Sequence, residues 1–372
     1  MKKFTDYIFL VVVVILYSVL AFLNLGNDFA PQTFYQAEPN EEIYVVLEKE
    51  QVVSRMMYYT GETKQDFTLG YRLNIKPSAC ACASCQEQGF LVVNRDDFGK
   101  ETKKKSLGAF RWTDVTINKK VSAILIRSVA DRQISYGEIA LFDENDEAID
   151  GIKIGRAESG VIAGDNFLSV LNDEQSVVPK NLHTMNSTYF DEVYFAQTAY
   201  EYTHGLTGYE DVHPPLGKIL QAIPIALTGR MTPFTWRFQG TLVGVLIIIV
   251  VFFLAKQIFK KTSYANLAIV FTAFSGLHFV QTRIGTIDSH LCLFTILSYL
   301  FMYKFLDSKG KFRYFALSGF FFGCSFAVKW SGAFGGFGLA IMFLKYLKDS
   351  GIWKAKFKYK DILKNLSKRD FW

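Results

Sequence analysis

"FTWRFQGTLVGVLIIIVVFFLA", Phe234 to Ala255, decides what class of molecule this is. The run is long enough for a helix across a hydrocarbon core. It ends at Lys256, Lys260 and Lys261. The rest of the chain agrees with that reading. Its 372 residues are 50% hydrophobic and 16% aromatic, with 35 Phe and a mean hydropathy of +0.15. The apolar residues gather at the N-terminus and after residue 233, with a polar block between. That distribution predicts a membrane protein carrying one inserted water-soluble domain.

Working outward, "YIFLVVVVILYSVLAFLNL" (Tyr7 to Leu25) follows Lys2 and Lys3 and reads as an uncleaved span, because no small-x-small cleavage site follows it. Downstream of Phe234–Ala255 come "YANLAIVFTAFSGLHFVQ" (Tyr264 to Gln281) and "LCLFTILSYLFMYKF" (Leu291 to Phe305). The stretch Tyr314 to Leu344 is too long for one span and holds Lys329-Trp330 near its middle. A single tilted helix would bury Lys329 mid-bilayer at a cost of several kcal/mol, so two short spans turning at Lys329-Trp330 are expected. Six spans then put every basic loop, including the tail with Lys345, Lys348, Lys354, Lys356, Lys358 and Lys360, on one side. By the positive-inside rule that side is the cytoplasm, and the polar block is extracytoplasmic.

The polar block reads as short strands. "EEIYVVLEKE", "QDFTLGYRLNI", "GFLVVNRDD", "DVTINKKVSAILIRSVA" and "GEIALFDENDEAI" are β-branched runs separated by Gly, Asn and Asp, which predicts a β-sandwich of jelly-roll type. The stretch from Arg111 to Gly151 resembles discoidin-like, galactose-binding sandwich domains. Cys80, Cys82 and Cys85 form C-x-C-x2-C, read as one disulfide with a leftover thiol, as a metal site lacking its fourth ligand, or as functionless. Cys292 and Cys324 fall in spans as apolar filler. Asn186 opens a glycosylation sequon. No glycine-rich nucleotide fingerprint and no P-loop occurs, and nothing points to nucleic acid.

The expected topology collects odd polar residues on the outer side. Asp191-Glu192 and His213 to Lys218 fall in the first outer loop, Arg283 and Asp288 in the second, Lys329-Trp330 in the third. Adjacent Asp191 and Glu192 point about 100° apart on a helix and cannot share one task. After Pro214-Pro215, apolar residues recur at Leu216, Ile219, Leu220, Ile223 and Leu227, the pattern of a helix lying on the bilayer surface. Lys218 and Gln221 are expected on its wet face, at lipid-phosphate depth.

"YFDEVYFAQTAYEY...HPPLGKIL", followed by "WRFQGTLVG", "RIGTIDSHLCLF" and "GFFFGCSFAVKWSG", resembles the protein O-mannosyltransferase family. The likeness runs from about Tyr189 to the end. It implies a polytopic GT-C-fold glycosyltransferase, into which the strand pattern places the extracytoplasmic β-sandwich as an insert. The corresponding domains are 1–27, the first transmembrane helix; 28–180, the sandwich; 181–232, an outer loop with interfacial helices; 233–347, five further spans; and 348–372, a basic cytoplasmic segment. Two departures stand out: family members have their acidic pair shortly after the first span, and they carry more than six spans. The ending "SKRDFW" therefore looks cut off.

The resemblance further implies an inverting transfer of mannose from polyprenyl phosphate to Ser or Thr hydroxyls of proteins on the extracytoplasmic side. Asp191 matches the family's base, which takes the hydroxyl proton. Set against this, Thr188-x-x-Asp191 also fits an ordinary helix capping box. Glu192 orients substrate or backbone, or is a solvated helix residue. Arg283 is the preferred donor-phosphate partner because guanidinium grips phosphate with paired bonds; the plain alternative is a snorkelling arginine. Lys218 and Lys329 are lesser phosphate candidates. Trp330 is a sugar platform or an interfacial belt residue, and His213 holds the loop before the prolines. Asp288 pairs with Arg283 or orients the outer ends of two spans.

His204 and His278 lack ligand spacing, so no metal site and no obligatory cofactor is expected, although some GT-C relatives use a divalent cation. Expected partners are the polyprenyl-phosphate sugar, an acceptor protein, the bilayer, and a glycan for the sandwich. Two other readings compete: a GT-C enzyme moving another lipid-linked sugar to a glycan or lipid, and a non-catalytic glycan receptor anchored by its spans.

Overall fold

This computed structural model describes residues 2–63, 67–74, 90–106 and 108–351. Cys80, Cys82 and Cys85, and the lysines beyond residue 351, lie outside the described residues. The chain divides into two compact units. One holds Gly26–Val193 with Arg230–Pro233; the other holds Met1–Leu25, Tyr194–Gly229 and Phe234–Trp372.

The first unit is built on strands. They are β1 (Tyr35–Ala37), β2 (Glu42–Thr60), β3 (Phe67–Leu73), β4 (Phe90–Val92), β5 (Thr102–Ser106), β6 (Arg111–Val129), β7 (Ile134–Phe142), β8 (Lys153–Gly155) and β9 (Val161–Ala163). Among the described residues seven strands belong to one sheet, in the order β1-β7-β2-β6-β3-β5 with β8 paired to β2, while β4 and β9 pair separately. The spine is the long antiparallel ribbon of β2 and β6, from Glu42↔Arg127 to Thr60↔Arg111.

Where two separate sheets were expected, a single hydrogen-bonded sheet curls. The ladder shifts register between Val46 and Gln51 and again between Val53 and Arg55. Such bulges bend a strand and sharpen its twist. As a result Ile43, Val45 and Leu47 from one half of β2 share a core with Met56 and Tyr58 from the other. Tyr44, Val46, Ala123 and Leu125 point to the opposite face, where Leu91 and Ile162 of the small β4-β9 pair cover them. Strand β7 is buried at every position, so both of its faces are covered.

The second unit is helical. Its elements are α1 (Lys2–Phe22), α2 (Glu192–Thr203, whose first two residues belong to the β unit), α3 (Leu216–Thr228), α4 (Pro233–Phe259), α5 (Thr262–Ala273), α6 (Gly276–Arg283), α7 (Asp288–Asp307), α8 (Phe312–Val328) and α9 (Gly335–Asp349). By length and composition, α4 and α7 are each sufficient to cross a membrane, and α5 with α6 make a third candidate bent by 59°. The bend falls where Ser275 caps α6, its hydroxyl accepting from the His278 amide. The apolar parts of α1, α3 and α8 are shorter. The chain breaks at Lys329, whose extended backbone ends α8 before a short 3-10 turn, Trp330–Phe334, leads into α9.

Helix α1 packs through Leu10, Tyr17 and Ala21 on Val245, Ile248 and Phe252 of α4 and on Ala265 and Ile269 of α5. A β-carbon on Gly244 would stand 2.7 Å from the Thr282 side chain. Only glycine permits that approach of α4 to the end of α6.

Candidate active site

The acidic pair lies where the chain leaves the β unit. Thr188 donates its hydroxyl to the Ala109 carbonyl at 2.7 Å, and its amide donates to Phe110 O at 3.0 Å. The Ser187 hydroxyl accepts from the Trp112 amide at 3.1 Å. Asn186 is buried and donates Nδ2 to Asn181 O at 2.8 Å, so the sequon amide is enclosed in the fold.

Phe190 then takes a left-handed conformation, φ 53°. Glu192 is fully buried, its carboxylate accepting the Tyr189 amide at 2.9 Å while its own amide donates to Tyr189 O at 3.1 Å. The capping carboxylate is thus Glu192; the Thr188 hydroxyl is engaged with Ala109. Asp191 is half-buried, and its carboxylate makes no hydrogen bond or ion pair among the described residues. Asp191 lies in the turn before α2 and Glu192 opens the helix, which gives each acid a different surrounding.

Within the helical unit, the second half of α2 and the loop to α3 close on buried polar groups. Glu201 is fully buried and accepts from Gln197 Nε2 at 3.0 Å and from the Tyr209 amide. The Glu210 amide donates to Thr198 Oγ1 at 3.0 Å. Lys218 is 1% exposed, with Nζ donating to Glu210 Oε2 at 2.6 Å, to His213 O at 2.8 Å and to Glu210 O. His213 donates its amide to Glu210 Oε1 at 3.0 Å.

The polar face of α3 therefore differs from the expectation, which had put it in water. Lys218 and Gln221 point inward, and Gln221 Nε2 donates to Gly285 O and Trp236 O at 2.9 and 3.1 Å. Ile219, Ile223 and Leu227 are the exposed residues. The physical reason is that the unit's interior offers carbonyl and carboxylate partners to those two polar side chains. Periodicity finds the two faces of a helix without saying which one is turned in.

Three loop regions meet in this unit. Lys329 Nζ donates to Asp288 Oδ1 at 2.8 Å, and Trp330 Nε1 donates to Val212 O at 2.7 Å. Phe195, Ile287 and Val328 pack beneath, with Leu216 against them. His213, Lys218, Asp288, Lys329 and Trp330 are thus gathered. Asp288 pairs with Lys329, not with Arg283.

Arg283 belongs to a separate cluster. Its Nη2 donates to Leu23 O and Asn24 O, both at 2.7 Å, just past the end of α1. Arg237 donates Nη1 to Leu25 O at 3.0 Å. These cations satisfy carbonyls at a helix C-terminus, where positive charge is favoured. The Arg283 Nε–H makes no hydrogen bond among the described residues.

Sequence reading passed over Glu201, Glu210 and Arg237. Arg237 carried a usable signal, an ionisable residue inside an apolar run. The two glutamates carried none, since nothing local distinguishes a buried glutamate from a solvated one.

Among the described residues, the carboxylate oxygens of Glu138, Asp173 and Glu174 come within 4.8 Å of one another, inside the β unit. Protein donors already serve them. Glu138 accepts from the Glu174 amide at 3.0 Å and from Gln175 Nε2, and Glu174 accepts from the Gln32 and Thr33 amides at 2.8 and 3.1 Å. Burial pushes Glu138 up to about 7.

Residues 212–363 match the protein family described as dolichyl-phosphate-mannose-protein mannosyltransferase. Polyprenol-phosphate-mannose–protein mannosyltransferases of Mycolicibacterium smegmatis and Mycobacterium tuberculosis are each 33% identical to this chain over 117 residues, 30% of this chain and 22% of the relative. A protein of the same description from Corynebacterium glutamicum is 29% identical over 157 residues, 36% of this chain and 30% of its own length. The chain thus spans between 22% and 30% of the length of these relatives. The family match contains His213, Lys218, Arg283, Asp288, Lys329 and Trp330; it begins after Asp191 and Glu192.

Proposed function

We propose, from the protein O-mannosyltransferase sequence of residues 212–363, that this protein is a multi-pass membrane glycosyltransferase. It moves mannose from a polyprenyl-phosphate donor to Ser or Thr hydroxyls of proteins. The observation that carries the reading is the meeting of Val212, Asp288, Lys329 and Trp330, from three loop regions of the matched segment, in one cluster. The basic flanks after α4, α7 and α9 support a cytoplasmic side for those ends and an extracytoplasmic side for the cluster.

In this reading Asp191 is the base of a single, inverting displacement. Its carboxylate is not engaged by other side chains, and a leaving phosphate needs little acid assistance. Glu192 holds the preceding turn and so orients Asp191. Arg283 takes the donor phosphate through Nη1, which makes no hydrogen bond among the described residues while Nη2 makes its two. Lys329 lends charge through its pair with Asp288, and Trp330, 56% exposed, offers the sugar an aromatic face. All three protons of Lys218 are taken by the loop, so its part is to hold His213 in place. The reading calls for no obligatory metal and leaves room for the divalent cation that some GT-C relatives use, and the β unit contributes recognition of acceptor proteins or glycans.

The test is transfer in membranes that hold the full-length protein, given radiolabelled polyprenyl-phosphate mannose and a Ser/Thr-rich peptide. Label is expected on the peptide. Label confined to the lipid fraction contradicts the reading, and label on a glycan or lipid acceptor points to the related GT-C activity instead.

A further inference from the structure

We infer that Glu210 is a positioning residue for this site, the latch that fixes the α2–α3 loop and, through it, seats Trp330. The inference rests on the functional reading above for its catalytic consequence, but its structural half stands by itself.

Lys218 is 1% exposed. An ammonium so enclosed keeps its charge only if its protons are bonded and a counter-charge is near. Glu210 supplies both. Its carboxylate accepts one proton at 2.6 Å, its own carbonyl accepts another, and the His213 carbonyl accepts the third at 2.8 Å. An ammonium has three donors, and all are used. The second oxygen of Glu210 accepts the His213 amide at 3.0 Å and stands 3.5 Å from His213 Nδ1. The Glu210 amide meanwhile donates to Thr198 on α2 at 3.0 Å. One residue therefore ties α2, the loop and α3 together.

Asp211 and Val212 form the short tip between the anchored residues Glu210 and His213. The Val212 carbonyl at that tip accepts the Trp330 indole N–H at 2.7 Å. The ring is otherwise 56% exposed and meets Phe326 edge-on at 5.2 Å. Without the Glu210 carboxylate, Lys218 becomes a buried cation facing carbonyls alone. The turn that aims Val212 O then has nothing to close it, and Trp330 loses its one hydrogen bond to a neighbouring loop. The Asp288–Lys329 pair does not pass through Glu210 and remains. Loss of the latch should accordingly weaken substrate binding more than the chemical step.

Hydrogen–deuterium exchange on the full chain in lipid nanodiscs gives a readout independent of activity. In Glu210→Ala, amides of 209–213 should exchange at least tenfold faster than in wild type. In Glu210→Gln with Lys218→Met, which removes both charges, protection should return to within a few-fold. Transfer kinetics give the second readout: Glu210→Ala should raise the donor KM about tenfold with kcat changed less than threefold, and Trp330→Phe should do much the same. When Glu210→Ala and Trp330→Phe are combined the two effects should not multiply, because both act through one contact. Unchanged exchange in Glu210→Ala overturns the latch. Multiplying effects in Glu210→Ala combined with Trp330→Phe overturn its connection to Trp330. Faster exchange in a protein that shows no transfer even as wild type upholds the latch and instead refutes the functional reading.

Discussion

Lys329 and Asp288, 41 residues apart in sequence, form an ion pair of 2.8 Å at the point where α8 ends and α7 begins. With side chains 28% and 33% exposed, the pair is reached by solvent. Its worth to stability is on the order of 1 kcal/mol. Its greater use is geometric, because Lys329 immediately precedes Trp330. Lys329→Met and Asp288→Asn should each lower transfer about tenfold, roughly the 1.4 kcal/mol of one well-placed contact. A double-mutant cycle should show that the two losses are shared. Two independent losses would mean that each residue acts alone.

Arg283 differs from a lysine in having a planar fork of donors. Its Nη2 reaches two carbonyls at 2.7 Å, which leaves Nη1 for a phosphate. Arg283→Lys keeps the charge and loses the fork. Donor-lipid binding should weaken about tenfold, or ~1.4 kcal/mol, with a small fall in thermal stability. Equal donor affinity in the two proteins would leave Arg283 with α1 capping alone.

Glu138 makes the β unit sensitive to pH. Burial raises its folded value from 4.5 to about 7, so between those values the folded protein holds more protons than the unfolded chain. Stability from this group is complete below pH 4.5 and is lost as pH rises through about 7. After allowance for screening the change is on the order of 2 kcal/mol. Thermal unfolding followed by fluorescence should show a lower Tm at pH 8 than at pH 5.5. Glu138→Gln should remove this group's part of the slope, and an unaltered slope would show that other groups set it.

Gly217 lies where α3 meets the start of α7. A β-carbon there would stand 2.8 Å from Ile287 Cβ and 3.1 Å from Val328 Cγ1. Gly217→Val should cost about 1–3 kcal/mol by overpacking, measured by thermal denaturation in detergent. Gly319→Ala, with nothing within 4 Å of the added carbon, is the control and should be neutral or slightly stabilising.

Much of the architecture could be read from local pattern. All but the first residue of the β-branched run at 41–50 and the last of that at 114–130 fall in β2 and β6, and the chain breaks at Lys329-Trp330, where a turn was expected. Long-range pairing was not legible. Nothing in the alternation of β2 says that bulges near Val46 and Val53 would curl one sheet instead of making two. Ionic partners were also hidden: Lys218 looked like a surface lysine because its counter-charge, Glu210, belongs to a loop whose closure depends on Thr198 and His213. Helical geometry was expected to part Asp191 from Glu192, but the helix begins only at Glu192, and the Tyr189 amide decided which acid turned inward.

The account centres on Asp191 as the base for mannosyl transfer. Single-turnover transfer from polyprenyl-phosphate mannose to a Ser/Thr peptide, at saturating donor, compares wild type with Asp191→Asn most directly. The asparagine protein should bind donor lipid as wild type does and transfer at least about 100-fold more slowly. Transfer at the wild-type rate by Asp191→Asn would contradict the central claim.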